Sequence, residues 1–236
     1  RRVVHWIGHF SFFCASADDD FRRAFMAQIA ADAANLRRTL SLGQTGSSPL
    51  VVFKGVLWAT LFLTGGLDGR RHFERWLGDA LAASFDANGG PIDRAPDSAA
   101  RALADLIDIR QAFRAAGHEE PEPVASAIEA ATAWVRMMRH GDGGLACFNG
   151  AAAMSGPDLD HLLTVADSKA RALREAPDSG YMRLVGGRTV VVIDGGVGVV
   201  GAARSHAAPL AFEMSVGRQR LVVNCGAADH DDRWST

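Results

Sequence analysis

Apolar residues recur at helical spacing from the start of the chain to about residue 175. From Asp18 the stripe Phe21, Phe25, Ile29, Leu36 and Leu40 predicts one helix, with Ser16 or Asp18 placed to cap it. The run from Leu50 to Thr64 is apolar almost all round, as a helix covered on every side should be. Phe73, Trp76, Leu77, Ala80 and Leu81 mark the next helix, after a turn at Asp68 and Gly69. Leu103, Leu106, Ile107 and Phe113 mark another, closed by Gly117, and Val124, Ile128, Val135 and Met138 a fifth behind Pro121 and Pro123. A last helix is predicted from Pro157 to Arg174, with proline in its first turn.

The period then changes. Tyr181 to Val185, Gly186-Gly187 and Arg188 to Ile193 predict a hairpin on a two-residue glycine turn. Leu210, Phe212, Met214 and Val216 alternate with Ala211, Glu213 and Ser215, which predicts a strand burying its apolar set and exposing Glu213. Gly217 and Arg218 turn the chain into Leu221-Val222-Val223. Strands without intervening helices make an antiparallel sheet, so the expected class is α+β: helical hairpins over residues 1–176, then a sheet over 177–236. The sheet region still continues at Thr236, so the β domain reads as incomplete.

Charge changes this picture little. A formal net charge of −2 gives no footprint for nucleic acid. The cations are arginines apart from Lys54 and Lys169, and guanidinium suits carboxylate and sulfate. Cys14, Cys147 and Cys225 are too scattered for a disulfide framework or a zinc knuckle. The chain opens on Arg1 with no leader pattern behind it, and Leu50–Thr64 is short of the roughly 20 residues a bilayer needs, so no transmembrane segment is expected.

Three stretches carry a resemblance. Asn88-Gly89-Gly90-Pro91-Ile92-Asp93-Arg94-Ala95-Pro96 resembles a "DGG…ERSP" segment between two toroid helices of the heparinase II/III-like polysaccharide lyases. His140-Gly141-Asp142-Gly143-Gly144-Leu145-Ala146 with Phe148-Asn149-Gly150 is similar to a loop of bacterial members. Ser205-His206-Ala207-Ala208-Pro209-Leu210-Ala211-Phe212-Glu213, with Val223-Asn224-Cys225-Gly226, resembles that family's "HxDxLxF" and "DxG" strands. The resemblance implies an incomplete (α/α) toroid followed by the start of a β-sandwich, an internal piece of a longer bacterial protein. It implies β-elimination on uronic-acid glycans, which needs a base, an acid and a partner for the sugar carboxylate. It also implies a structural zinc ion, and a periplasmic or secreted setting with a cytoplasmic one also open.

The match is uneven at the chemistry. Ser47-Ser48-Pro49-Leu50 stands where the resemblance implies Asn and His, and Asp97, Ser98 and Ala99 where it implies Tyr. Aligned on Leu210 and Phe212, His206 falls on the zinc-binding histidine, Arg204 on the catalytic one and Asn224 on the zinc-binding aspartate. The candidate catalytic set is therefore His206, Arg204, Asp97 and His140. Asp93, Arg94, Asn149 and Tyr181, the single tyrosine, are the candidate glycan-binding residues, and His206 with Asn224 the candidate zinc ligands. Each has a plainer alternative: helix cap for Asp93, pairing for Arg94, turn geometry for His140 and Asn149, packing for Tyr181, a strand-end hydrogen bond for His206. Two functions follow, a lyase of acidic polysaccharide or a reduced relative that binds the glycan without cutting it. A purely helical scaffold fits less well with a sheet carrying His206 and Asn224.

Overall fold

A computed structural model describes residues 1–42, 48–67, 70–196 and 210–224. Among the described residues eight helices precede five strands, the expected segregation. Two short helices, α1 (Arg2–Gly8) and α2 (Phe10–Cys14), lead into α3 (Asp19–Leu42), where Asp18 Oδ1 accepts the Phe21 N–H at 2.7 Å as the predicted cap. Next, α4 (Pro49–Thr64) starts on proline and ends at Gly65 in the left-handed region. Phe53, Val56, Leu57 and Ala59 are fully buried, as its all-round apolar sequence requires. It also buries Lys54, whose ammonium reaches Asp108 at 2.8 Å, and packs so tightly on α3 that a Cβ on Gly55 would lie 2.9 Å from Leu36 Cδ1. The predicted turn at Asp68 and Gly69 lies outside the described residues.

Helices α5 (Arg70–Ala82), α6 (Pro96–Ala115), α7 (Glu122–Met137) and α8 (Gly156–Ala166) complete the helical series. Gly117, at φ 70°, lets α6 end in a Schellman motif: its N–H donates to Arg114 O at 3.0 Å, and the His118 N–H to Phe113 O at 2.9 Å. Ser155 caps α8, but this helix stops at Ala166 and not at Arg174. Asp167 turns left-handed (φ 51°), and the Arg174 carbonyl accepts from Arg183 N–H at 2.7 Å, so the residues expected to finish the helix serve the sheet. No described helix is long and apolar enough to cross a membrane.

The chain divides into two compact units, residues 1–84 with 108–125 and residues 85–107 with 126–236. In the first, Val3, Ile7, Ile29, Ala33 and Ala59 form a core with Trp6, Phe25, Leu36 and Trp58 against it. The second holds the sheet. Its strands β1 (Glu175–Ala176), β2 (Tyr181–Gly186), β3 (Thr189–Asp194), β4 (Ala211–Val216) and β5 (Gln219–Val222) form an antiparallel meander in chain order. The first hairpin turns on Gly187-Arg188 and not Gly186-Gly187, since Gly186 pairs with Thr189. Gly217-Arg218 turns the β4–β5 hairpin as expected, with Val216 opposite Gln219. In both turns the glycine alone has positive φ, 57° and 56°, the demand of a II′-like turn.

The predicted facing of β4 is reversed. Glu213 and Ser215 are fully buried, whereas Phe212 is 46% and Leu210 74% exposed. Pairing places Val190 opposite Ser215 and Val192 opposite Glu213, so the inner face of the sheet mixes valine with acid and hydroxyl. The outer face keeps Met182, Leu184, Phe212 and Val222 at the surface. Apolar alternation fixed the two faces correctly but not which one is covered.

Gly141 approaches the Gly217 carbonyl so closely that no Cβ fits between them. Gly141→Ala must therefore shift the β4–β5 turn, and we expect a loss of roughly 1–3 kcal/mol in unfolding free energy, the usual range for overpacking. Urea denaturation followed by far-ultraviolet circular dichroism measures it, and an unchanged midpoint would refute the close approach.

Candidate functional site

Two glycine-rich loops meet the inner face of the sheet within the second unit. The first spans residues 85–95. Asp86 Oδ1 accepts the N–H groups of Asn88 and Gly90, both at 2.8 Å, and Asn88 Oδ1 accepts Asp178 N–H at 2.9 Å. Asp93 then closes the turn just ahead of α6, accepting from Ala95 N–H at 3.1 Å and Ser98 Oγ at 2.6 Å. The chain enters Arg94 in the left-handed region (φ 58°), which aims its guanidinium under the sheet.

There Arg94 is closed in. Its Nε donates to Ser179 O at 2.8 Å, its terminal nitrogen pairs with Asp194 of β3, and its guanidinium carbon lies 5.2 Å from the centre of the Tyr181 ring. The Tyr181 hydroxyl donates back to Arg94 O at 2.9 Å. Asn149, also left-handed (φ 52°), reaches in from the second loop. Its Nδ2 lies 2.8 Å from Tyr181 Oη and 3.3 Å from both Arg94 O and Asp194 Oδ2. Trp134 completes the wall, donating Nε1–H to Ser179 Oγ at 3.0 Å and meeting the Tyr181 ring edge-on at 5.7 Å. Burial and the neighbouring Asp194 carboxylate push the Tyr181 phenol well above its usual range. It stays neutral, a poor base.

The second loop, residues 139–155, brings His140 under β4. His140 Nε2 is 2.9 Å from Glu213 Oε2 and Nδ1 is 3.1 Å from Ser215 Oγ, with all three side chains fully buried or nearly so. Ser215 Oγ also accepts Gly141 N–H at 3.1 Å. With Glu213 ionised, the relay is consistent: Gly141 N–H to Ser215, Ser215 O–H to His140 Nδ1, His140 Nε2–H to Glu213. The other Glu213 oxygen accepts the N–H groups of Cys147 at 2.8 Å and Asn224 at 3.1 Å. Burial raises the Glu213 pKa, but the hydrogen bonds from His140, Cys147 and Asn224 outweigh it, so its carboxyl titrates below the usual glutamate range. Although serine, histidine and glutamate are linked in order, Ser215 is sealed from solvent and cannot meet a substrate. Arg220 holds Asp142 at 2.8 Å, donates to Leu145 O at 2.8 Å and stands 3.7 Å from Glu213 Oε2 at the edge of this knot.

The structure thus brings Arg94, Asn149 and Tyr181 into one cluster and His140 into another, both beneath the same sheet face. In each, the polar atoms face one another, and both ring nitrogens of His140 are taken. Asp93 is spent on the turn that leads into α6. Asp97 is buried in the first turn of α6 and paired with Arg101, whose own side chain is 42% exposed. Arg204 and His206 lie outside the described residues. Among the described residues no three His, Cys, Asp or Glu side chains converge as metal ligands, and of the proposed zinc pair only Asn224 is described. Glu213, Ser215 and Asp194 were missed in the sequence because each sits in a strand pattern that reads as solvent-facing or as a strand end.

A family model described as Heparinase II/III-like, C-terminal, matches residues 168–235. The FtsZ-localized protein C of Caulobacter vibrioides is 33% identical over 153 residues, which cover 62% of this chain and 27% of that protein. A solved heparinase III gene product superposes with a TM-score of 0.74 at 18% identity, covering 96% of this chain and 39% of that one. Heparan sulfate lyase HepC from Pedobacter heparinus superposes with a TM-score of 0.69 at 15% identity, over 98% and 41% respectively. The chain therefore spans well under half the length of each of these relatives, and the likeness to the solved lyases is one of fold.

Two outcomes follow for the buried knots. Asp194→Ala leaves the Arg94 guanidinium buried without its carboxylate and should cost about 3–5 kcal/mol in chemical denaturation; a loss below about 1 kcal/mol would sink the role given to this pair. Because the folded-state pKa of Glu213 is depressed, its stabilisation is complete above the unfolded glutamate pKa of about 4.3 and is lost as pH falls through the lower folded value. Thermal unfolding measured from pH 6 down to about pH 3 should fall more steeply in the natural protein than in Glu213→Gln, and parallel curves would contradict this.

Proposed function

We propose, for a chain whose residues 168–235 belong to the heparinase II/III-like C-terminal family and whose fold is that of the heparinase III-like proteins, that it binds acidic polysaccharide without performing the standard elimination. One observation supports this reading above the others. Arg94, Asn149, Tyr181 and His140 direct their polar groups into the sheet and leave none for a sugar. Elimination needs a base near its working pH and a donor for the sugar carboxylate, and a sealed neutral phenol supplies neither. The relative at 33% identity, moreover, is named for where it localizes and not for a reaction.

In this reading the glycan is gripped by Arg204 and His206. Guanidinium meets carboxylate or sulfate through paired hydrogen bonds, and a strongly acidic chain repeats that contact along its length. Zinc is assigned to His206 and Asn224 only as part of this proposal; a neutral amide is a weaker ligand than the carboxylate it replaces, and no step is routed through the metal.

Heparan sulfate and alginate, tested against the intact protein, should bind in a salt-dependent manner and yield no unsaturated uronyl product, read as ultraviolet absorbance. Arg204→Ala with His206→Ala should weaken binding about tenfold, the loss of one or two charge-assisted contacts, without lowering the unfolding midpoint. Absence of binding refutes the proposal. Growth of the ultraviolet signal refutes it in favour of the second reading, a lyase using Asp97, Arg204 and His206.

A further inference from the structure

The β2–β3 and β4–β5 hairpins turn on the same pair of residue types, Gly187-Arg188 and Gly217-Arg218. In a meander alternate turns fall at the same end of the sheet, so arginines from separate hairpins come together there. Their backbones are one hydrogen bond apart, Gly217 N–H donating to Arg188 O at 2.8 Å. The glycines meet the demand of a II′-like turn for positive φ. The residue after each glycine is under no such demand, so turn geometry does not call for arginine at either place.

Gly217 does more than turn the chain. The Arg188 guanidinium lies across it, with Cζ 3.2 Å from where a Cβ would stand, so the bare glycine seats that side chain next to Arg218. Neighbouring guanidiniums are matched. Arg139 is paired with Asp160 at 2.6 Å and Arg220 with Asp142 at 2.8 Å, while Arg183 donates to Met137 O and Arg139 O, both at 2.6 Å. Arg188 and Arg218 differ from these. Both are exposed, and neither side chain has a hydrogen-bond or ion-pair partner among the described residues. Like charges side by side repel, a cost that an anion lying across both relieves.

We infer that Arg188 and Arg218 together form a contact point for the carboxylate or sulfate groups of an acidic polysaccharide, in addition to Arg204 and His206. This rests on the glycan-binding reading and adds to it a place on the described surface. Each guanidinium offers a fork of donors that matches carboxylate or sulfate. Both side chains stand in water, where a single charge pair contributes little. A polymer that meets both at once, and repeats its charge along its length, sums such contacts; a lone small anion does not.

Calorimetric titration of the intact protein with heparan sulfate at several salt concentrations tests this. Arg188→Gln with Arg218→Gln should weaken binding about fivefold and flatten the dependence of log Kd on log salt by roughly 1–2, the share of two displaced counterions. The urea midpoint should not move, because both side chains are exposed. Arg71→Gln with Arg75→Gln removes the same charge from exposed positions on α5 and should leave the affinity unchanged. If the two double variants weaken binding equally, net charge alone is being read and the inference is overturned. Unchanged affinity and salt dependence in Arg188→Gln with Arg218→Gln overturns it too, while leaving the glycan-binding reading in place. No binding by the natural protein removes both. Should the Arg188→Gln and Arg218→Gln pair lower the midpoint, Arg218→Gln decides alone: a loss of about twofold supports the contact, and none refutes it.

Discussion

The second unit depends on one buried carboxylate. Glu213 has no exposed surface, and an ionised carboxyl in that position is tolerable only if hydrogen bonds replace the water it has lost. His140 and the N–H groups of Cys147 and Asn224 are those replacements. They come from a loop some seventy residues earlier and from the end of the neighbouring strand, so satisfying one side chain sets several others. The loop must pass close under β4, which is why Gly141 abuts the Gly217 carbonyl. The strand must turn its polar face inward, which is why Phe212 and Leu210 are left outside.

A second buried carboxylate repeats the arrangement one strand over. Asp194 opposes Ala211 on the same inner face as Glu213, and it receives Arg94 from the other glycine-rich loop. Both Arg94 and Asn149 adopt left-handed backbone, unusual for an arginine, and both are held by contacts to Tyr181 and Asp194. Such networks cost more to break than they contribute when intact, so they specify a register more than they add net stability. β3 and β4 receive their loops at carboxylates, Asp194 and Glu213, where a mismatched register would strand a buried charge.

This economy bears on function. Arg94, Asn149, Tyr181 and His140, named from the sequence as candidate glycan or catalytic residues, are turned toward the sheet. A side chain with every donor and acceptor engaged internally can position backbone and can resist acid or heat; it cannot also stabilise a developing negative charge on a substrate.

Much of the fold was legible in the residues. The long apolar run of α4, the Asp18 cap, Gly117 at the end of α6 and the Gly217-Arg218 turn are local signals, each decided by backbone geometry or by contacts a few residues away. The grouping of Arg94, Asn149 and Tyr181 came only by family resemblance. What the sequence could not decide was the direction of β4. Alternation defines two faces, and hydrophobicity chooses the apolar one for burial unless a distant partner makes the polar one cheaper to cover. Here His140, with Gly141 and Cys147, is that partner. Only the tertiary structure brings it beneath Glu213 and Ser215, because hydrogen-bond complementarity between segments so far apart leaves no periodic trace in the chain.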